Sequence, residues 1–132
     1  MYDIITICSS NYVECYDFTI ESWIEQDGVN QIFVYTDDKN CFQEKDKVVF
    51  IETPVINTSW IDNVGAKSSI LCYHYKTYKP DNFCFLDIDN FIVKDIDCVF
   101  DHNFSIGAVG YNKIEDIGTV TSGNIFFKRS FL

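Results

Sequence analysis

Apolar positions change rhythm along this chain, from short continuous runs to a repeat of three to four residues and back again. Asp3 to Cys8, "DIITIC", is a run suited to a strand covered on both faces. After "SSN", apolar residues recur at Tyr12, Tyr16, Ile20, Trp23 and Ile24. This is a helical period, with Asn11 as N-cap, Glu14 three residues on and Gly28 as the stop. "QIFVYT" (Gln31 to Thr36) and "KVVFIE" (Lys47 to Glu52) read as two more strands, the second closed by Pro54. A second helical period predicts a helix over 62–78, with Val64, Ser68, Leu71, Tyr75 and Tyr78 on one face and "KPDN" as its stop. "FCFL" (83–86) follows as a fourth strand, then short runs at "FIV" (91–93), "FSIGAVG" (104–110) and "GNIFFK" (123–128).

Strands alternating with helices predict an α/β fold, a doubly wound and mainly parallel mixed sheet flanked by helices, with a strand-rich last part. At 132 residues the chain is expected to form one domain, 1–132, and it shows no repeat, low-complexity segment or linker.

Composition narrows the partners. With 47% hydrophobic residues the chain can build a core. Twenty acidic against 10 basic residues give a net charge of -10, which opposes any broad contact with a phosphate backbone, so nucleic acid is not an expected partner. The six cysteines include no C-x-x-C pair, and Cys8, Cys72 and Cys84 fall in segments read as core, the pattern of buried free thiols in a reducing compartment. The start, "MYDIITICSS", is neither a signal peptide nor a span, and no apolar run has the length of a membrane helix. A cytoplasmic protein is the expectation.

Candidate chemistry concentrates in "FLDID". A D-x-D spacing alone means little, since the 14 aspartates should produce about 1.5 such pairs by chance and the chain has Asp87-Asp89 and Asp95-Asp97. Context separates the two. Ligands of open α/β sheets gather at the carboxyl ends of strands, and Asp87-Ile88-Asp89 directly follows a run read as a central strand, whereas Asp95-Ile96-Asp97 reads as a surface turn. Two carboxylates at the mouth of an apolar sheet repel each other. A hard divalent cation, Mg2+ or Mn2+, relieves that repulsion while leaving positions open for phosphate oxygens.

Taken in order, "ITICSSNY", a helix, "VYTDD", a helix carrying Lys67, "FLDID" and "TSGNIFF" resemble the GT-A glycosyltransferases, especially glycogenin-like and related galactosyl- and glucosyltransferases. The resemblance implies the GT-A, Rossmann-like nucleotide-diphospho-sugar transferase fold. It also implies metal-dependent transfer of a hexose from a nucleotide-diphosphate sugar, a UDP-sugar first of all, to an acceptor hydroxyl on an unknown sugar or protein. Residue by residue, it puts Thr6, Ser9, Asn11 and Tyr12 near base and ribose, with Tyr12 stacking, and Asp37 near the base or ribose. Lys67 approaches the donor, Asp87 and Ile88 lie beside ribose or metal, and Asp89 binds the metal directly together with Asp87. Ser122 and Gly123 resemble the Ser-Gly of the family's N-S-G strand start, with Thr121 in place of Asn.

The family normally continues into an acceptor-binding half and commonly adds a histidine to the metal shell. Here the histidines are His74, in the second helix, and His102, in a loop, neither where a late metal ligand belongs. The expectation is therefore a donor-binding half, either a fragment of a longer protein or a minimal version whose acceptor site is missing, shared across a homodimer or supplied by a partner. Two other readings stay open. One is a non-catalytic nucleotide-sugar binder. The other is a haloacid-dehalogenase-type phosphatase, in which the first Asp of such a motif is the nucleophile.

Overall fold

The computed structural model describes residues 1–110 and 120–129. Six strands form one sheet: β1 (Tyr2–Ile7), β2 (Val29–Thr36), β3 (Val48–Glu52), β4 (Asn82–Leu86), β5 (Ile106–Gly110) and β6 (Val120–Lys128). Their order is β3-β2-β1-β4-β6-β5, with β3, β2, β1 and β4 parallel and β6 antiparallel to both β4 and β5. Helix α1 (Val13–Ile24) connects β1 to β2 and helix α2 (Trp60–Tyr78) connects β3 to β4, while the parallel pair β2 and β3 is joined by residues 37–47 with a 3-10 turn at Lys39–Cys41. The α/β class and mainly parallel sheet agree with the sequence expectation.

Alternation along the strands divides the core in two. Ile4, Ile32, Val34, Cys84, Leu86 and Phe126 pack with Tyr16, Ile20 and Trp23 of α1. Ile5, Phe33, Tyr35, Phe83 and Phe85 belong to a second cluster that takes Ile70 of α2. Neighbouring strand residues thus face opposite helices, which is why the central runs are apolar throughout. On α1 the buried positions are Tyr16, Thr19, Ile20, Ser22 and Trp23, one stripe at helical spacing. Phe83 and Phe127 face each other across β4 and β6, their rings 4.5 Å apart and nearly parallel. Such a pair adds about 0.5–1.5 kcal/mol beyond area burial.

Several expectations need correction. "FIV" is not a strand: 91–93 is irregular, with Ile92 buried beneath Phe91 and Val93, which are both exposed. Asn11 does not cap α1; the cap position is Tyr12, with no side-chain hydrogen bond, after a 3-10 turn at Ser10–Tyr12. Gly28 does not end that helix, which stops at Ile24. A Cβ on Gly28 would lie 2.9 Å from the Tyr2 ring and 3.1 Å from Asp97, so the residue is needed for close approach. Helix α2 begins at Trp60, capped by the Ser59 hydroxyl accepting from the Asp62 amide. Its buried positions are Asn63, Ile70 and His74; of the expected face, Leu71 and Tyr75 pack against the second cluster, while Val64, Ser68 and Tyr78 are exposed. The polar Asn and His were the residues that mark the inward face. Cys8 and Cys84 are buried as expected, but Cys72 is exposed on α2. Among the described residues no helix is long and apolar enough to cross a membrane.

His74 is fully buried among Phe33, Tyr78 and Phe83, and its Nδ1 shares a 2.9 Å hydrogen bond with the Tyr35 hydroxyl. Burial holds its pKa down to about 4, from 6.5. The unfolded chain therefore takes up a proton first as pH falls. The stability is fully present above about pH 6.5 and is lost progressively down to about pH 4. Urea unfolding of wild type and His74→Gln across this range should show a wild-type loss on the order of 3 kcal/mol that the variant lacks. Parallel pH profiles would contradict this.

Candidate functional site

The carboxyl end of β4 opens into a tight turn, the Asn90 amide donating to the Asp87 carbonyl at 2.9 Å. The turn is tied on both sides. From α1, the Thr19 hydroxyl lies 2.7 Å from the Ile88 carbonyl, and Trp23 Nε1 donates to the Asn90 carbonyl at 2.7 Å. From β6, the Gly123 carbonyl accepts from the Asp87 amide at 2.9 Å and from Asn90 Nδ2 at 3.2 Å, while Asn90 Nδ2 also donates to Asn124 Oδ1 at 2.7 Å. Ile88 is buried, so the turn is anchored by its middle residue, and Asp87 and Asp89 flank that anchor.

The two acids differ in partners. Lys67 Nζ, reaching from α2, donates to Asp87 Oδ1 at 2.7 Å and lies 4.8 Å from the centroid of the Phe85 ring. Asp89 is exposed. The expected carboxylate repulsion is thus already offset at Asp87 by an ammonium. Among the described residues no group of three or more His, Cys, Asp or Glu side chains could hold a metal. His74 is buried in the core and His102 sits at the exposed end of a 3-10 turn, so neither joins this site.

A cleft of about 500 Å³ extends from these acids. Its lining includes Ser9 and Tyr12 from the loop after β1, Cys15 of α1, Trp60, Asn63, Val64 and Lys67 of α2, and Asp87, Ile88 and Asp89. Of the residues singled out in the sequence, Ser9, Tyr12, Lys67, Asp87, Ile88 and Asp89 therefore meet at one place. Tyr12 is 36% exposed rather than packed in the core.

Others do not reach it. Thr6 is fully buried within β1, its hydroxyl without a partner among the described residues. Asn11 is not among the residues lining the cleft; it donates to the Thr58 carbonyl at 3.3 Å and accepts from the Ser9 hydroxyl at 2.5 Å. Asp37 lies behind the loop, where it accepts from the Ser10 amide at 2.7 Å and hydroxyl at 2.8 Å. Desolvation alone would raise the Asp37 pKa, but the hydrogen bonds from Ser10 outweigh it and hold the carboxyl below its usual value. Asn11 and Asp37 thus shape the loop that presents Ser9 and Tyr12. Gly123 is buried and acts through its carbonyl; Ser122 is on β6, with its side chain outside the described residues.

Sequence reasoning missed Trp60 and Asn63. Asn63 ties the preceding loop by accepting from the Asn57 amide and donating to its carbonyl. The spacing Ser59-x-x-Asp62 is a helix-start signal that would have moved α2 two residues forward and put Trp60 at the mouth. The second pair, Asp95 and Asp97, is a structural turn: the Asp95 carboxylate accepts from the Gly28 and Asp97 amides.

No family model and no curated protein matches this sequence. Solved structures do. The apo form of the glycosyltransferase GlyE of Streptococcus pneumoniae TIGR4 matches with a TM-score of 0.67 at 12% identity, over 97% of this chain and 34% of that one. The galactosyltransferase LgtC, in complex with donor and acceptor sugar analogs, matches with a TM-score of 0.64 at 13% identity, over 98% and 59%. The fold is that of the GT-A glycosyltransferases. A third GT-A match, the bifunctional glycosyltransferase WbbM in apo form, has a TM-score of 0.60 at 12% identity, over 97% and 31%. This chain spans about a third of GlyE and of WbbM, and under two thirds of LgtC.

Thr19→Val keeps the shape of the side chain but removes the hydroxyl beside the Ile88 carbonyl. It should cost about 1–2 kcal/mol in urea unfolding. An unchanged unfolding midpoint would mean that the turn holds its shape without the Thr19 hydroxyl.

Proposed function

We propose that the cleft binds a nucleotide-diphosphate sugar, a UDP-sugar first of all, and that the protein transfers its hexose to an acceptor hydroxyl. The observation that carries this reading is the meeting of Lys67, Asp87 and Asp89 at one end of a cleft whose lining also includes Ser9 and Tyr12. The GT-A fold supports it at the level of fold, since a fold hosts many chemistries and function is argued from the site.

Tyr12 offers a ring face for the base, Ser9 lies beside it, and the diphosphate is directed toward Lys67. Asp87 and Asp89 fit a hard divalent ion of the Mg2+ or Mn2+ kind. Such ions are held by one or two carboxylates with phosphate and water oxygens completing the shell, so a third protein ligand is not required. When bound, the ion supplies Lewis-acid neutralisation of the departing diphosphate. In the transfer, the acceptor oxygen bonds to the anomeric carbon as the bond from that carbon to the diphosphate oxygen breaks. The acceptor proton is released, and the nucleoside diphosphate leaves with the electron pair. Lys67 offers a donor at the place where that negative charge grows. Ile88 buries the turn from beneath and keeps both acids at the rim.

UDP titrated calorimetrically with and without Mn2+ should bind only with the metal, and Asp89→Ala should weaken it by at least about tenfold. Metal-dependent binding with no transfer or hydrolysis of UDP-sugars would favour the non-catalytic binder, and hydrolysis of simple phosphate esters the phosphatase. Failure to bind either UDP or GDP would sink the reading.

A further inference from the structure

We infer that this cleft discriminates between a bare divalent cation and one already carried on a diphosphate, and that Lys67 sets the preference. The ligand class rests on the reading above; the electrostatics rest on the ion pair itself.

Lys67 Nζ is 2.7 Å from Asp87 Oδ1, its side chain only 14% exposed against the Phe85 ring. In such a partly desolvated place the field of the ammonium is not screened away as it would be in water. A cation arriving alone meets an Asp87 whose charge is already answered and one of whose oxygens already accepts a hydrogen bond. No additional cluster of acids among the described residues compensates for that loss. The bare ion must also approach an ammonium of its own sign.

UDP and pyrophosphate each carry more negative charge than one divalent cation cancels, so the complex of either with the ion arrives as an anion, whereas the two diphosphate charges of a nucleotide-diphosphate sugar balance the ion and leave negative oxygens facing Lys67. For these species the same ammonium is an attraction, and phosphate oxygens offer Lys67 charge-assisted hydrogen bonds that release Asp87 toward the ion. Lys67 thus acts with opposite sign on the two forms. A lysine that only braced α2 against β4 would have no such effect: its removal would leave both affinities alone or weaken both together.

The test measures three ligands on wild type, Lys67→Met and Lys67→Gln, with thermal melts to show that each is folded. They are Mn2+ alone, followed by the loss of free-ion EPR signal, then inorganic pyrophosphate and UDP, each with saturating Mn2+. Both variants should bind Mn2+ alone about tenfold more tightly than wild type, and both Mn2+ complexes about tenfold more weakly. The glutamine variant keeps a neutral donor near Asp87 and carries the comparison if the methionine variant fails to fold. Variants that bind free Mn2+ no better than wild type would overturn the inference. If wild type binds Mn2+-pyrophosphate with the expected variant pattern but gains nothing from UDP, the inference stands and the nucleotide reading fails.

Discussion

Two carboxylates can be held at the edge of this sheet because the backbone between them is tied from both sides. The turn from Asp87 to Asn90 takes hydrogen bonds at Ile88 and Asn90 from α1, and at Asp87 and Asn90 from β6. These contacts occupy its inward-facing polar groups and bury Ile88. Asp87 and Asp89 are left lining the cleft. Each neighbouring element follows from this constraint: α1 needs Thr19 and Trp23 on its buried face, and β6 must run antiparallel beside β4 so that Gly123 and Asn124 come level with the turn. Hydrogen bonds from two packed elements, with Ile88 buried between them, thus fix a polar site.

Charge adds a second level. On a chain of net charge -10, Lys67 is a cation placed among acids rather than on an open surface. It steadies Asp87 and gives the cleft mixed sign, with an exposed acid at Asp89 and a largely covered ammonium at Lys67. Mixed sign of this kind suits a ligand that itself combines cation and anion, and does not suit either alone.

How much of this was readable in advance depends on whether the residue announces its face. The central strands did, because sheet positions buried on both sides are apolar at every step, as in Ile4-Ile5 and Phe83 to Leu86. The turn after β4 was legible because it ends such a run. The span of helix α2 was legible to within two residues but its inward face was not, since that face includes Asn63 and His74, polar residues whose partners Asn57 and Tyr35 lie outside the helix and do not show in an apolar period. "FIV" misled for a related reason. Three apolar residues look like a strand, yet Ile92 is buried alone while its neighbours face outward. In the loop after β1, apolar periodicity could not say which of Ser9, Asn11 and Tyr12 would face the cleft. That was decided by Asp37 and Thr58, contributed from elsewhere in the chain.

We propose that the acids after β4, among all those on a strongly acidic chain, form the place where a metal and a nucleotide diphosphate meet. Paramagnetic broadening of backbone amide signals by trace Mn2+ in the presence of UDP tests it most directly. Broadening should centre on 87–90, extend to Lys67 and Ser9 and spare 95–97. Broadening centred on Asp95 and Asp97, or spread evenly over the acidic surface, would contradict it.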